Sequence, residues 1–95
     1  MRVITKRKIR EFGKLHPAAV DPLERWLRVV RNAKPANPVE LKRIFGTADF
    51  VGGLTVFDIG GNKYRLIAFV HYSNEIVYLK HLLTHRQYDQ RDWEQ

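Results

Sequence analysis

Apolar residues recur at helical spacing through the first half of the chain and at alternate positions through the second. Arg2-Val3-Ile4 is a short candidate strand, and Thr5 is the expected cap of a helix over residues 6–16 with Ile9, Phe12 and Leu15 on one face. Pro17 ends that helix. A second helix is predicted from Ala18 or Pro22 to Asn32. Asp21 and Glu24 have capping-box spacing, Pro22 suits the first turn, and Leu23, Trp26, Leu27 and Val30 form the buried stripe. After a loop at residues 33–37, Asn37-Pro38-Val39-Glu40 repeats the sequence of cap, proline and acid. It predicts a short helix over residues 39–45, stopped by Gly46. Trp26 and Trp93 are read as packing residues.

Residues 49–53 read as a turn-rich approach to the sheet. From Leu54 the period becomes two, and residues 54–59, 63–72 and 75–83 read as three consecutive antiparallel strands. Gly60-Gly61-Asn62 supplies the first turn, because glycine and asparagine accept positive φ, and Ser73-Asn74 the second. Helices followed by a meander and a terminal helix make an α+β fold in one domain spanning residues 1–95. On the middle strand Tyr64, Leu66, Ala68, Val70 and Tyr72 share one face, and Lys63, Arg65, Ile67, Phe69 and His71 the other. A two-residue turn at Ser73-Asn74 would set Ile67 opposite Lys80 and Arg65 opposite Leu82, leaving Lys80 diagonal to Arg65 on one face.

Charge narrows the class. The formal net charge is +7, and residues 1–16 hold six Lys and Arg against one acid, whereas residues 51–95 are balanced. Such a surface suits a polyanion or an acidic protein, although solvated helix faces account for part of it. There is no cysteine, which excludes disulfides and thiolate zinc sites and fits a cytoplasmic setting. No apolar run reaches the ~18 residues needed to cross a bilayer, and no membrane partner is expected. The basic N-terminus lacks the apolar core of a signal peptide.

The candidate chemistry gathers in two places. Arg65 and Lys80 are cations that would sit together only with an anion or carboxylate between them, and Asp58 is the nearest acid on the preceding strand. Thr84 and Gln87 are spaced as a capping box, so a helix starting there carries His85 in its first turn with Tyr88 three residues on. Backbone N–H groups at that helix start attract phosphate. The sequence has no P-loop, GxSxG, HExxH or acidic cluster, and His16, His71 and His81 do not group as metal ligands, so neither metal nor cofactor is expected.

Residues 56–67 (VFDIGGNKYRLI), then Ile76-Val77-Tyr78-Leu79-Lys80, Thr84-His85 and Tyr88-Asp89 resemble the HigB toxins of type II toxin–antitoxin systems, members of the RelE-like mRNA interferases. Arg2-Val3-Ile4, His16-Pro17 and Ala48-Asp49-Phe50-Val51 extend the resemblance over nearly the whole chain. It implies a RelE-like fold, with an N-terminal helical pair on a twisted antiparallel sheet. It further implies an endoribonuclease that inhibits translation, acts on mRNA at the ribosome, and is neutralised by a cognate HigA-like antitoxin whose complex binds DNA through the antitoxin. The pattern carries over to Arg65, His85 and Tyr88, with Asn62 and Lys63 on the turn and Asp89 beside the tyrosine. Relatives often have Asn where this chain has Asp58.

On this reading the RNA 2′-OH attacks the adjacent phosphorus without a metal. Arg65, assisted by Lys80, neutralises the transition state, and His85 transfers protons, as imidazole does readily near neutral pH. Tyr88 orients the 2′-OH, relays a proton or stacks a base. Asn62, Lys63, Arg86, Lys6, Arg7 and Arg10 bind flanking RNA. Two other classes fit the same charge: a basic module that occupies RNA or the ribosome without cutting, and an inhibitory partner of an acidic protein.

Overall fold

In the computed structural model, which describes residues 1–91 and Trp93, the elements follow one another as β1 (Arg2–Ile4), α1 (Arg7–Leu15), a 3-10 turn (Pro17–Ala19), α2 (Val20–Asn32), α3 (Pro38–Ile44), β2 (Asp49–Val51), β3 (Leu54–Ile59), β4 (Tyr64–His71), β5 (Ile76–Thr84) and α4 (His85–Asp89). The fold is α+β. The five strands lie in the order β1-β5-β4-β3-β2. Strands β2 to β5 run antiparallel, while β1 returns across the sheet to pair with β5 in parallel.

Alternation along the strands sorts side chains onto two faces. One face carries Phe57, Ile59, Leu66, Ala68, Val70, Val77 and Leu79, and Ile9, Phe12, Leu23, Trp26, Val30 and Leu41 of the helices close over it. The Trp26 ring meets Phe57 edge-on at 5.3 Å. The opposite face holds a smaller cluster of Val56, Ile67 and Trp93, flanked by Leu54, Leu83 and Tyr88. Both tryptophans are therefore packing residues, as their sequence context implied. The Met1 ammonium donates to the carbonyls of Val30, at 3.0 Å, and Ala33, at 2.9 Å, so it neutralises the carbonyl end of α2.

Several local expectations hold. Asn37 caps α3, its Oδ1 accepting from the Glu40 N–H at 2.9 Å. The β3–β4 turn uses Gly60 and Gly61 at φ of 64° and 72°, where a Cβ would cost roughly 1–2 kcal/mol. Others do not hold. Thr5 caps nothing; α1 starts at Arg7 with Lys6 as its cap residue and no side-chain bond. Asp21 and Glu24 form no capping box, because the 3-10 turn runs straight into α2 at Val20 and leaves no free N-terminus there. Asp49–Val51 is a strand rather than a bare approach, pairing with β3 through Asp49↔Val56.

The register corrects the sequence reading where it matters for the site. Next to the turn it is the expected one, with His71 opposite Ile76 and Ala68 opposite Leu79. A β-bulge then inserts one extra residue on β5, and beyond it Ile67 faces His81 and Arg65 faces Leu83. Lys80 is the residue left between the two registers, three positions back from the residue that faces Arg65. The diagonal pairing of Lys80 with Arg65 therefore does not form.

Candidate active site

The site is built at one end of the sheet, where the β3–β4 turn meets α4. Asp58 and Arg65 are direct cross-strand partners, an outcome of the tight glycine turn between them. Arg65 Nε lies 3.2 Å from Asp58 Oδ1, with the Arg65 side chain only 12% exposed and Asp58 26%. Arg65 Nη1 donates to the Asn62 carbonyl at 2.9 Å and to the Tyr64 carbonyl at 3.2 Å. The guanidinium is thus fixed by three acceptors through Nε and Nη1. These contacts do not use Nη2. Asp58 is the carboxylate expected beside the arginine.

Helix α4 starts from the anticipated capping box. The Gln87 N–H donates to Thr84 Oγ1 at 3.2 Å, and the Thr84 N–H to Gln87 Oε1 at 3.0 Å. The next donor, the His85 N–H, reaches the Lys63 carbonyl at 3.0 Å and fastens the helix to the β3–β4 turn. His85 Nδ1 then lies 3.0 Å from Asp89 Oδ2, one helical turn on. An Nδ1–H donated to that carboxylate leaves Nε2 outside the contact. The sequence reading placed Asp89 beside Tyr88 without assigning it this role; the His85/Asp89 spacing of four was the available signal.

Tyr88 ties the two halves together. The Arg65 guanidinium carbon stands over its ring at 5.4 Å, and Trp93 stacks on that ring at 5.1 Å and 14°. Trp93 Nε1 donates back to the Tyr88 carbonyl at 3.0 Å while its ring fills the second apolar cluster. Charge, imidazole and phenol are therefore positioned by a chain of contacts that ends in packing.

The fold thus collects Asn62, Lys63, Arg65, His85 and Tyr88 at one end of the sheet, and Arg86 is exposed on the same short helix. It does not collect the rest. Lys80 is the bulged residue, and its carbonyl accepts from Lys8 Nζ at 2.9 Å. Lys6, Arg7 and Arg10 are exposed on or beside α1, with Arg7 paired to Glu11 at 2.9 Å. Lys8, Lys80, His81 and Phe12 line an open cleft of about 280 Å³ between α1 and β5. Burial there, and then the charges of Lys8 and Lys80, hold the His81 imidazole below its ordinary value. Among the described residues, no three His, Asp or Glu side chains gather as a metal site, and no helix is long and apolar enough to cross a membrane.

A profile of the HigB toxins, described as the RelE-like toxic component of a toxin–antitoxin system, matches residues 19–91. This chain belongs to the HigB toxin family. The match runs from the 3-10 turn to the end of α4 and contains Asp58, Arg65, His85, Tyr88 and Asp89. Curated relatives are similar over almost the full length. The mRNA interferase HigB of Escherichia coli O6:H1 (strain CFT073) is 28% identical over 92 residues, which cover 94% of this chain and 89% of the relative. The mRNA interferase toxin HigB of Escherichia coli K12 is 25% identical over 92 residues, 94% of this chain and 88% of the relative. The basic stretch at Lys6, Arg7 and Arg10 precedes the span matched by the HigB profile.

Proposed function

We propose that this chain is the toxin of a type II toxin–antitoxin pair and an endoribonuclease that cuts mRNA, engaged at the ribosome, so that translation stops. The observation that carries the reading is the fixed Arg65 guanidinium beside the His85–Asp89 pair, in a chain similar to proteins named mRNA interferases. The partner that restrains it is a cognate HigA-like antitoxin, and DNA is reached only through that complex.

The chemistry follows from what each group offers. The 2′-oxygen attacks phosphorus, the bond to the 5′-oxygen breaks, and the products are a 2′,3′-cyclic phosphate, or the 3′-phosphate it hydrolyses to, and a 5′-hydroxyl. Negative charge builds on the phosphoryl oxygens, and Arg65 meets it through Nη2 while Asp58 and the Asn62 and Tyr64 carbonyls hold the fork still. Such preorganised charge is worth roughly 10²–10³ in rate. His85 Nε2 removes the 2′-OH proton or supplies one to the leaving oxygen, with Asp89 orienting the ring. Tyr88 backs the guanidinium with its ring and orients the 2′-OH with its hydroxyl. No step needs a metal. Asn62, Lys63 and Arg86 bind the strand next to the cut, and Lys80, with Lys6, Arg7 and Arg10, binds phosphates further along.

The test is induction in cells followed by mapping of RNA 5′ ends, beside an Arg65→Ala control. New 5′-hydroxyl ends inside reading frames, absent from a folded Arg65→Ala protein, are expected. Equal cleavage by that variant refutes the assignment of Arg65, and cleavage of ribosome-free RNA by the purified protein that requires an added divalent metal refutes the metal-free route. Soluble folded protein that yields no new ends makes the chain a non-cleaving RNA or ribosome binder.

A further inference from the structure

The sheet face that carries Arg65 does not end at the Trp93 cluster. Arg65, Ile67, Phe69 and His71 alternate on it along β4, and α4 with Trp93 covers only the Ile67 stretch. Beyond that cover Phe69 is 41% exposed and faces Tyr78 directly across the ladder, ring centroids 6.2 Å apart. The His71 ring follows at 6.4 Å from Phe69, with its Nδ1 accepting from the Asn74 N–H at 3.2 Å. The next row brings Arg2, through Ile76, onto the same face as His71. Phe69, His71, Tyr72 and Ser73 also line an open depression of about 450 Å³.

We propose that Phe69 and Tyr78 form a stacking platform for a base of single-stranded RNA, on the strand held at Arg65. The inference rests on the ribonuclease reading above and adds a recognition site to it. Three observations choose RNA as the occupant. The aromatic pair lies on the same sheet face as the Arg65 site, beyond the Trp93-covered Ile67 stretch, cations stand at both ends of that face (Arg65 and Arg2), and the chain carries an excess of seven positive charges. Four strand positions separate Arg65 from Phe69, about 13 Å at ~3.3 Å per residue. A stacked strand covers that in about four rises of ~3.4 Å, and an extended strand in fewer. The platform therefore takes a nucleotide a few positions from the scissile phosphate, and it is tolerant of base identity because stacking needs only a π-face.

The experiment is anisotropy titration of a fluorescein-labelled, fully 2′-O-methylated RNA octamer, which binds without being cut. Wild type is compared with Phe69→Ala, Phe69→Leu and Phe69→Trp, each checked for folding by circular dichroism. Losing one base stack weakens binding by roughly 5- to 150-fold. Phe69→Ala and Phe69→Leu are expected to lose affinity in that range, and Phe69→Trp to keep it. The dependence of affinity on salt is expected to stay unchanged, because no phosphate contact is removed. An octamer of abasic sugars should bind wild type and Phe69→Ala alike. Folded Phe69→Ala that binds the octamer as tightly as wild type overturns the platform, and leaves Phe69 to a protein partner. Phe69→Leu with full affinity overturns the aromatic argument as well. If Phe69 governs binding while wild type cuts no RNA, the platform stands and the ribonuclease reading fails.

Discussion

Asp58→Asn separates the two things the carboxylate does to Arg65. In the folded protein Asp58 Oδ1 is 3.2 Å from Arg65 Nε, in a site that is mostly but not fully shielded. At that distance the gross attraction is about 5 kcal/mol for an effective dielectric of ~20. Part of it repays the desolvation of two half-buried charges, and two carbonyls still hold Nη1 after the substitution. The net loss expected is that of one charged hydrogen bond, about 2 kcal/mol. For a domain of this size that lowers Tm by roughly 8–16 °C. The same carboxylate also repels an incoming phosphate. An anion at Nη2 stands ~6 Å from Asp58, where the repulsion is at most about 3 kcal/mol and nearer 1 after screening by solvent and salt. Asp58→Asn should therefore bind the non-cleavable octamer several-fold more tightly at low salt while melting earlier, and cleavage should persist below the new Tm. Thermal melts and anisotropy on one preparation read both. A Tm within a degree of wild type would show that the pair contributes nothing net. Cleavage lost by a folded Asp58→Asn protein would refute the view that Asp58 only positions the arginine.

His81 gives a pH dependence of known sign. Its folded value lies below the unfolded ~6.5, through burial first and the Lys8 and Lys80 charges second, so below that pH the unfolded chain takes up a proton the folded chain refuses. Stability is then fully present above pH ~6.5 and falls as pH drops toward the folded value; melts from pH 5 to 7.5 should show this slope reduced in His81→Gln, and an unaltered slope would assign it elsewhere. Asp89→Ala should change Tm little, since the His85–Asp89 pair is exposed and such pairs contribute about 0–1 kcal/mol. The same variant should slow single-turnover cleavage roughly ten- to a hundredfold, within the reach of general acid–base catalysis, and full-rate cleavage would remove Asp89 from the mechanism.

The meander, its two turns and the Thr84/Gln87 capping box were legible because each rests on interactions a few residues apart. Period-two alternation marks a strand wherever one face is buried, and Gly60-Gly61 marks a turn because positive φ excludes most other residues. The failures are of another kind. The sequence around Thr5 and Asp21 satisfies a capping pattern, but α1 begins one residue later, and α2 grows directly out of the 3-10 turn and so has no free start for Asp21 to cap. The bulge at Lys80 has no local signature: the extra residue belongs to β5 only because β4 and β5 both have to keep their apolar faces on the helical core. That single residue moved Lys80 away from Arg65. Arg65 was readable as a candidate from the turn alone, whereas its Trp93-backed contact with Tyr88 joins positions 23 residues apart.

That long-range contact bears on how the site stays assembled. Helix α4 has five residues, too few to stand in water by propensity, since isolated helices below ~12–15 residues are marginal. It exists because Thr84 and Gln87 cap it, Lys63 accepts the His85 N–H, and Trp93 packs Tyr88 onto the second apolar cluster. None of these contacts belongs to the helical core that holds the sheet together. The imidazole and phenol therefore sit on an element whose docking is energetically separable from global folding, while the guanidinium sits on β4, in the middle of the sheet. Opening of α4 at lower cost than global unfolding would part His85 from Arg65 with the fold intact. The proposed catalytic arrangement would then require α4 to stay docked, with Arg65 as the fixed half of it.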